Sequence, residues 1–249
     1  PLVRPPGTAF EYSNWGFAVL GNALGQCAGK SYEALLAERV TGPLGMRDTT
    51  FAPSAVQKSR LASGYDGKLQ PMPNEDLGAL GGAGGLYSTV NDLLEFIELF
   101  LGRGPQPLAT AAATITEPLR AGDDPDTRMA LGWRVATTDG VKTLWSSGRA
   151  DGYRAYMAFD PSKRLAVVGL TNAATNAGVD DIGRHVLDPR RAVARPHRWI
   201  AVATAVLDRY VGRYKFEDGA FLTVLRDGDQ LVVQMTGQGA LPVLATGPR

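Results

Sequence analysis

In the stretch FEYSNWGFAVLG, a phenol, a hydroxyl and a carboxamide (Tyr12, Ser13 and Asn14) stand in a row just before a long apolar run. A free phenol titrates near 10 and is a poor base at neutral pH. A neighbouring ammonium changes that, because it favours the phenolate or shares a proton with it. The same three residues also suit an ordinary helix entrance. A Ser–His–Asp arrangement needs a histidine beside its nucleophile. The two histidines, His185 and His197, lie in a late helical pattern and in a basic connector, and nothing places either near a suitable serine. A serine can instead be activated by an amine one helical turn away, on the same helix face. No serine here has a lysine three residues on, and Ser54 comes nearest, with Lys58 one position too far. No His/Cys/Asp cluster has metal-ligand spacing. The GGAGGL run lacks the Lys-Ser/Thr of a phosphate-cradling loop and reads as a tight turn. Neither metal nor organic cofactor is expected.

The elements around these residues follow from periodicity. Trp15 to Ala28 is almost wholly apolar, with Gly16, Gly21 and Gly25 at steps of four or five. A helix apolar all round is expected to be buried, and its glycines would let another backbone approach closely, at about 1 kcal/mol each in helix propensity. Ser31 is placed to cap SYEALLAERV, with Glu33 in the first turn. Residues 52 to 85, rich in proline and glycine, read as extended and looping chain. Thr89 and Asp92 have capping-box spacing. Val90, Leu93, Leu94, Ile97, Phe100 and Leu101 then repeat at helical intervals until Gly102. A short Ala/Thr-rich segment follows.

Beyond it the pattern turns to strands: MALGWRVAT, VKTLWSS, YRAYMAF and RLAVVGLT, separated by TDG, GRADG and DPSK. These are hairpin signals. A helix near Val179 to Leu187 closes the series. Helices, then consecutive antiparallel strands, then a helix predict an α+β fold, an antiparallel sheet flanked by helices, and exclude a doubly wound parallel sheet. DPRRAVARPHR is a basic, proline-containing connector; its arginines suit phosphate, but a solvated linker explains them. YVGRYKF, FLTVL and QLVVQMTG are short strands around the RDGDQ turn.

The 249 residues are 44% hydrophobic and 20% charged, with a net charge of +1. That composition is globular, and it gives no field for nucleic acid or an anionic membrane. No apolar run reaches the roughly 20 residues a membrane-spanning helix needs. The single cysteine, Cys27, cannot form an internal disulfide. The start has no initiator methionine and no visible signal peptide, and both ends are expected to be cuts in a longer protein.

Three stretches in order, PPGTAFEYSNWGFAVLG, GPLGMRDTTF and GGLYSTVNDLLEF, resemble the penicillin-binding-protein-like serine hydrolases: class C β-lactamases, D-alanyl-D-alanine peptidases and related esterases. The resemblance covers most of residues 5 to 187. It implies acyl-enzyme chemistry on amide or ester bonds, with a small-molecule or peptide substrate. In that family a Ser-x-x-Lys, a Tyr-x-Asn and a Lys/His-x-Gly strand meet in one pocket, an arrangement close to the Ser-x-x-Lys, Ser-Asp-Asn and Lys-Thr-Gly set. The resemblance maps the second element onto Tyr12, as proton shuttle, and Asn14, which would hold the lysine and the substrate; Ser13 between them would point away.

It maps the third element onto LWSSGRADGY, with Ser146, Ser147 and Gly148 where Lys/His, a variable residue and Gly are expected, and the main-chain N–H of Arg149 as an oxyanion donor. Ser146 departs from the pattern, because a hydroxyl brings no charge to a substrate carboxylate; Arg149 or Arg154 is the candidate replacement. The first element is absent, so the nucleophile is expected on a missing N-terminal segment or a second chain, and this chain alone is expected to be inactive. A non-catalytic relative that binds peptidoglycan-like ligands is the alternative. The resemblance further implies an exported, periplasmic or extracellular protein. It divides the chain into residues 1–188, the C-terminal portion of a hydrolase domain of β-lactamase/transpeptidase-like fold; 189–204, a linker; and 205–249, part of a small lipocalin-like β-barrel domain.

Overall fold

Local signals start most of the helices. The computed structural model describes residues 5–8, 10–67, 69–74, 77–122, 126–138, 140–150, 152–175, 178–194, 200–216, 221–235, 240–243 and 245. Helix α1 spans Asn14–Cys27, and its N-cap Ser13 accepts from Gly16 N–H at 3.0 Å. Helix α2, Tyr32–Leu36, is capped by Ser31 with Glu33 in its first turn, and runs into a π-helical turn at Ala37–Thr41. The segment from 52 to 85, expected to be extended and looping throughout, contains helix α3, Ala55–Arg60, started by a full capping box between Ser54 and Gln57, and a 3₁₀ turn at Gly78–Ala83. Helix α4 is Val90–Glu98, and a 3₁₀ turn carries it on to Gly102, whose φ of 81° ends it. The Ala/Thr-rich segment is a helix too: α5, Gln106–Ile115, is entered through Pro105, and Thr110 and Thr114 return their hydroxyls to carbonyls one turn back.

The capping-box reading of Thr89 and Asp92 is half right. Thr89 accepts from the Asp92 N–H at 3.2 Å. The Asp92 carboxylate does not return to the cap; it accepts from Asp48 N–H at 2.8 Å and from Thr49 Oγ at 2.7 Å. Thr50 and Tyr87 form an isolated antiparallel bridge alongside. Two of the motif stretches, RDTTF and LYSTVND, are thereby tied into one polar junction between loop and helix.

The expectation of a buried α1 is overturned. Only Ala18, Gly21 and Gly25 are buried. They do what close-packing glycines should: a Cβ on Gly25 would stand 2.8 Å from the Lys30 carbonyl oxygen and 2.9 Å from the Tyr32 nitrogen. The large side chains face outward, with Trp15 70% and Val19 62% exposed. Periodicity reports how apolar a face is; whether a partner covers it depends on distant residues.

Two strands, β1 (Gly64–Tyr65) and β2 (Pro71–Met72), pair in the looping region. The main sheet follows: β3 (Arg120–Ala121), β4 (Thr127–Met129), β5 (Arg134–Thr138), β6 (Val141–Ala150), β7 (Tyr153–Asp160) and β8 (Leu165–Thr171). They lie antiparallel in chain order. MALGWRVAT, expected as one strand, is split. Ala130 N–H donates to the Trp133 carbonyl at 2.8 Å across a turn in which Gly132 has φ 81°, so β4 folds back on β5.

Alternation along the strands separates two cores. Leu144, Phe159, Trp133 and Val135 face Ile97 of α4, with Phe100 edge-on to Trp133 at 4.9 Å. Tyr156 and Ala158 face the other way, against Leu187 of helix α6, Asp180–Leu187. Helices thus lie on both faces of an antiparallel sheet, as the sequence pattern predicts.

The chain divides into two compact units, Pro1–Ala194 and Arg195–Arg249. Within the second, a short helix α7 (Thr204–Leu207) precedes β9 (Gly212–Lys215), β10 (Phe221–Asp227), β11 (Gln230–Met235) and β12 (Leu241–Val243). These form an open four-stranded antiparallel sheet in the order β12-β11-β10-β9, with no closed barrel among the described residues.

Candidate active site

Tyr12 and Asn14 sit at the head of α1, where the chain turns from extended to helical. Ser13, with φ −148° and ψ 111°, is the last extended residue. Its Oγ is committed to the helix cap, and its two neighbours meet on the other side: the Tyr12 hydroxyl donates to Asn14 Oδ1 at 3.0 Å. The phenol is 56% exposed and open to a reactant. Five residues earlier, the Gly7 carbonyl accepts from the Arg120 guanidinium at 3.3 Å, which ties the approach to Tyr12 to strand β3.

Ser146, Ser147, Gly148 and Arg149 lie within β6 and not in the turn after it. Their register is Ser146↔Met157, Ser147↔Tyr156, Gly148↔Ala155 and Arg149↔Arg154. Ser146 and Gly148 therefore share the face of Leu144 and the α4 core, while Ser147 and Arg149 share the face of Trp145 and α6. The ladder from β5 to β6 ends at Arg134↔Trp145. From Ser146 to Ala150, β6 pairs only with β7 in the sheet, and its other edge is open. Every second residue of such an edge presents N–H and C=O outward. A Cβ built on Gly148 would meet nothing within 4 Å, so its missing side chain leaves free space above the strand.

The far end of β6 is clamped. Gly152 has φ 76°, and a Cβ there would stand 2.7 Å from the backbone of Gly64 and Tyr65. Tyr65 N–H donates to the Gly152 carbonyl at 3.2 Å. The Tyr153 hydroxyl lies 2.6 Å from the Ala62 carbonyl and 2.7 Å from Asn74 Oδ1, and burial pushes its pKa up. Of the two arginines offered as replacement charge, Arg154 is engaged: its guanidinium donates to the Thr175 carbonyl at 2.7 Å and lies against Gly178. It also belongs to the face opposite Ser146.

A cavity of about 560 Å³ lies on the α6 side of the sheet, lined among others by Trp145, Tyr156, Arg184, Leu187, Arg190 and Arg191. It holds none of the candidate residues. Its charges are largely satisfied: Arg190 pairs with Asp188 through contacts of 2.9 and 3.1 Å, which holds the Asp188 carboxyl below its ordinary pKa. Burial raises the Tyr156 phenol, against the pull of the nearby Arg184. Basic residues of the connector, read from sequence as a solvated link, thus line this wall. Only a tertiary contact could bring them beside Trp145. His185 Nδ1 lies 2.6 Å from the Arg191 carbonyl; His197 lies outside the described residues. Among the described residues no group of three or more His, Cys, Asp or Glu could hold a metal ion, and no helix is long and apolar enough to cross a membrane.

Comparison with known proteins adds independent findings. The family profile described as Beta-lactamase matches residues 1–189. A human protein named for its likeness to β-lactamases is 34% identical over 188 residues, 74% of this chain and 38% of its own length. The D-alanyl-D-alanine-carboxypeptidase/endopeptidase AmpH of Escherichia coli K12 is 33% identical over 178 residues, 66% of this chain and 45% of its own length. The chain thus spans less than half the length of these two curated relatives. Among solved structures, an octameric penicillin-binding protein homologue from Pyrococcus abyssi superposes with a TM-score of 0.68, covering 97% of this chain and 56% of that one at 24% identity. At that identity the likeness is one of fold.

Proposed function

Because this chain belongs to the beta-lactamase family, we propose that it is the tyrosine- and strand-bearing part of a serine hydrolase that works by acyl transfer on amide or ester carbonyls. The observation that carries the reading is the head of α1: an exposed phenol bonded to Asn14, with Ser13 turned away into the cap. In the whole protein a serine on a segment outside these 249 residues attacks the carbonyl carbon. Tyr12 takes the serine proton and passes it to the leaving amine or alcohol; a neighbouring lysine on the same segment supplies the charge its phenol needs. Water then attacks the acyl-enzyme by the reverse proton route. Asn14 orients the lysine and the substrate amide. In this reading the backbone edge of β6 from Ser146 through Ser147 and Gly148 to Arg149 stands opposite Tyr12, where it aligns the substrate and the Arg149 N–H donates to the developing oxyanion.

Ser146 brings no charge, and both arginines offered in its place, Arg149 and its cross-strand partner Arg154, belong to the other face, where Arg154 donates to the Thr175 carbonyl. Uncharged esters and amides are therefore favoured over substrates that rely on a carboxylate at this position. The same feature supports a second reading, a non-catalytic relative that binds peptidoglycan-like ligands. We further propose that the protein works after export, outside the cytoplasm. The chain extended by the residues encoded ahead of Pro1 tests the reading, with a chromogenic cephalosporin and a short-chain nitrophenyl ester. Hydrolysis is expected from the extended protein and not from residues 1–249. Turnover by residues 1–249 alone that survives Tyr12→Phe overturns it, and extended protein that binds but never acylates leaves the binding-only reading.

A further inference from the structure

The cavity on the α6 side of the sheet takes no part in the acyl-transfer reading. It lies on the Trp145 face of β6, whereas Ser146 and Gly148 belong to the other face. Its volume of about 560 Å³ falls within the range of small-molecule sites. Lys163, Arg184, Arg190 and Arg191 line it against Asp126 and Asp188, an excess of two positive charges. Behind this wall Asp160 answers Lys163 at 3.3 Å, and Arg134 adds a cation 5.0 Å from the centre of the Trp145 ring. Each of the three lining guanidiniums is held by its surroundings. Arg190 is held by Asp188. Arg191 reaches to β5, with Nη2 3.5 Å from Thr138 Oγ1, and its Nε lies 3.9 Å from Asp188. Arg184 lies over Trp145 at 5.2 Å, and among the described residues no carboxylate stands within ion-pair distance of it. An indole attracts a guanidinium through its ring, but it returns no formal charge. Steps of two along β5 and β6 put Thr138 on the face of Arg134 and Thr143 on that of Trp145, so two hydroxyls join the same wall.

We infer that this cavity is a binding site for a small organic phosphate, a phosphomonoester whose terminal group lies between Arg184 and Arg191. Three features select that chemistry. The excess of two positive charges matches a phosphomonoester, which carries close to two negative charges at neutral pH. A guanidinium fork engages phosphate oxygens two at a time, and the threonine hydroxyls can donate to the oxygen that remains. The volume exceeds what a lone oxyanion fills, and the half-buried Trp145 and buried Tyr156 supply apolar surface for an organic group. Two of the connector arginines, which suit phosphate by their chemistry alone, thus gain a built wall to work from.

The probe is phenyl phosphate, titrated into residues 1–249 in a phosphate-free buffer and followed by isothermal titration calorimetry. One-to-one binding is expected, at least tenfold tighter than that of inorganic phosphate or of phenol. Arg184→Gln and Arg191→Gln change exposed side chains. Each is expected to weaken binding at least tenfold while thermal unfolding stays that of the parent. Arg103→Gln, whose partner Glu98 belongs to α4 and the opposite core, is expected to leave binding unchanged. Four results overturn the inference: no saturable binding, binding that survives both cavity substitutions, phenol as tight as its phosphate ester, or inorganic phosphate as tight as the ester. The third would mean an apolar pocket only, and the fourth a simple anion site. The measurement needs no hydrolysis, so its outcome stands apart from that of the acyl-transfer reading.

Discussion

Gly148 and Gly152 stand four residues apart at the end of one strand, and alanine should do opposite things to them. At Gly152 the backbone has φ 76°, a left-handed conformation costing an L-residue about 1–2 kcal/mol. The new methyl would also sit 2.7 Å from the Gly64 and Tyr65 backbone, which cannot rotate away as a side chain would. Overpacking of this kind costs about 1–3 kcal/mol. Together the two effects predict a loss of about 2–5 kcal/mol, or on the order of 10 °C in the melting temperature of a domain of this size. At Gly148 the φ is ordinary and a methyl meets nothing within 4 Å, so alanine should change stability by less than about 0.5 kcal/mol. Urea unfolding followed through Trp133, just ahead of β5, and Trp145 of β6 measures both. If the proposed function holds, Gly148→Ala in the extended protein should instead raise KM or lower kcat, because the methyl enters the space proposed for substrate. A Gly152→Ala protein as stable as its parent, or a Gly148→Ala protein weakened by more than about 1 kcal/mol, refutes this account of the β6 terminus.

Asp92→Ala removes the carboxylate that joins α4 to the 48–50 loop, and a loss of about 2–4 kcal/mol is expected from two broken charge-assisted bonds, read by thermal unfolding. Asp160 is buried; burial pushes its carboxyl up, but hydrogen bonds from Ser162 and Lys163 outweigh this and hold it below the ordinary 3.8. A lowered folded pKa makes its stabilisation complete above about pH 4 and lost as pH falls through the folded value, so Asp160→Asn should flatten the acid limb of a stability–pH curve. Tyr12→Phe in the extended protein should lower kcat by about 10²–10⁴, with thermal stability unchanged because the phenol is exposed. Equal kcat would remove Tyr12 from the proton path.

What the sequence determined by itself is local. Ser13, Ser31, Ser54 and Thr89 start helices because a side-chain oxygen reaches an N–H two or three residues on, wherever the helix later packs. The hairpins at TDG, GRADG and DPSK follow from turn chemistry in the same way. Four features were decided by tertiary structure. Asp92 serves the 48–50 loop in place of its own cap because Asp48 and Thr49 are brought to it. MALGWRVAT breaks because Trp133 belongs in the core beneath α4 while Gly132 can take the turn. The open edge at Ser146 exists because β5 begins only at Arg134, opposite Trp145. The apolar face of α1 is exposed because the described residues cover only its glycine stripe; an apolar pattern records a demand for burial, and only the assembled fold decides which surface meets it.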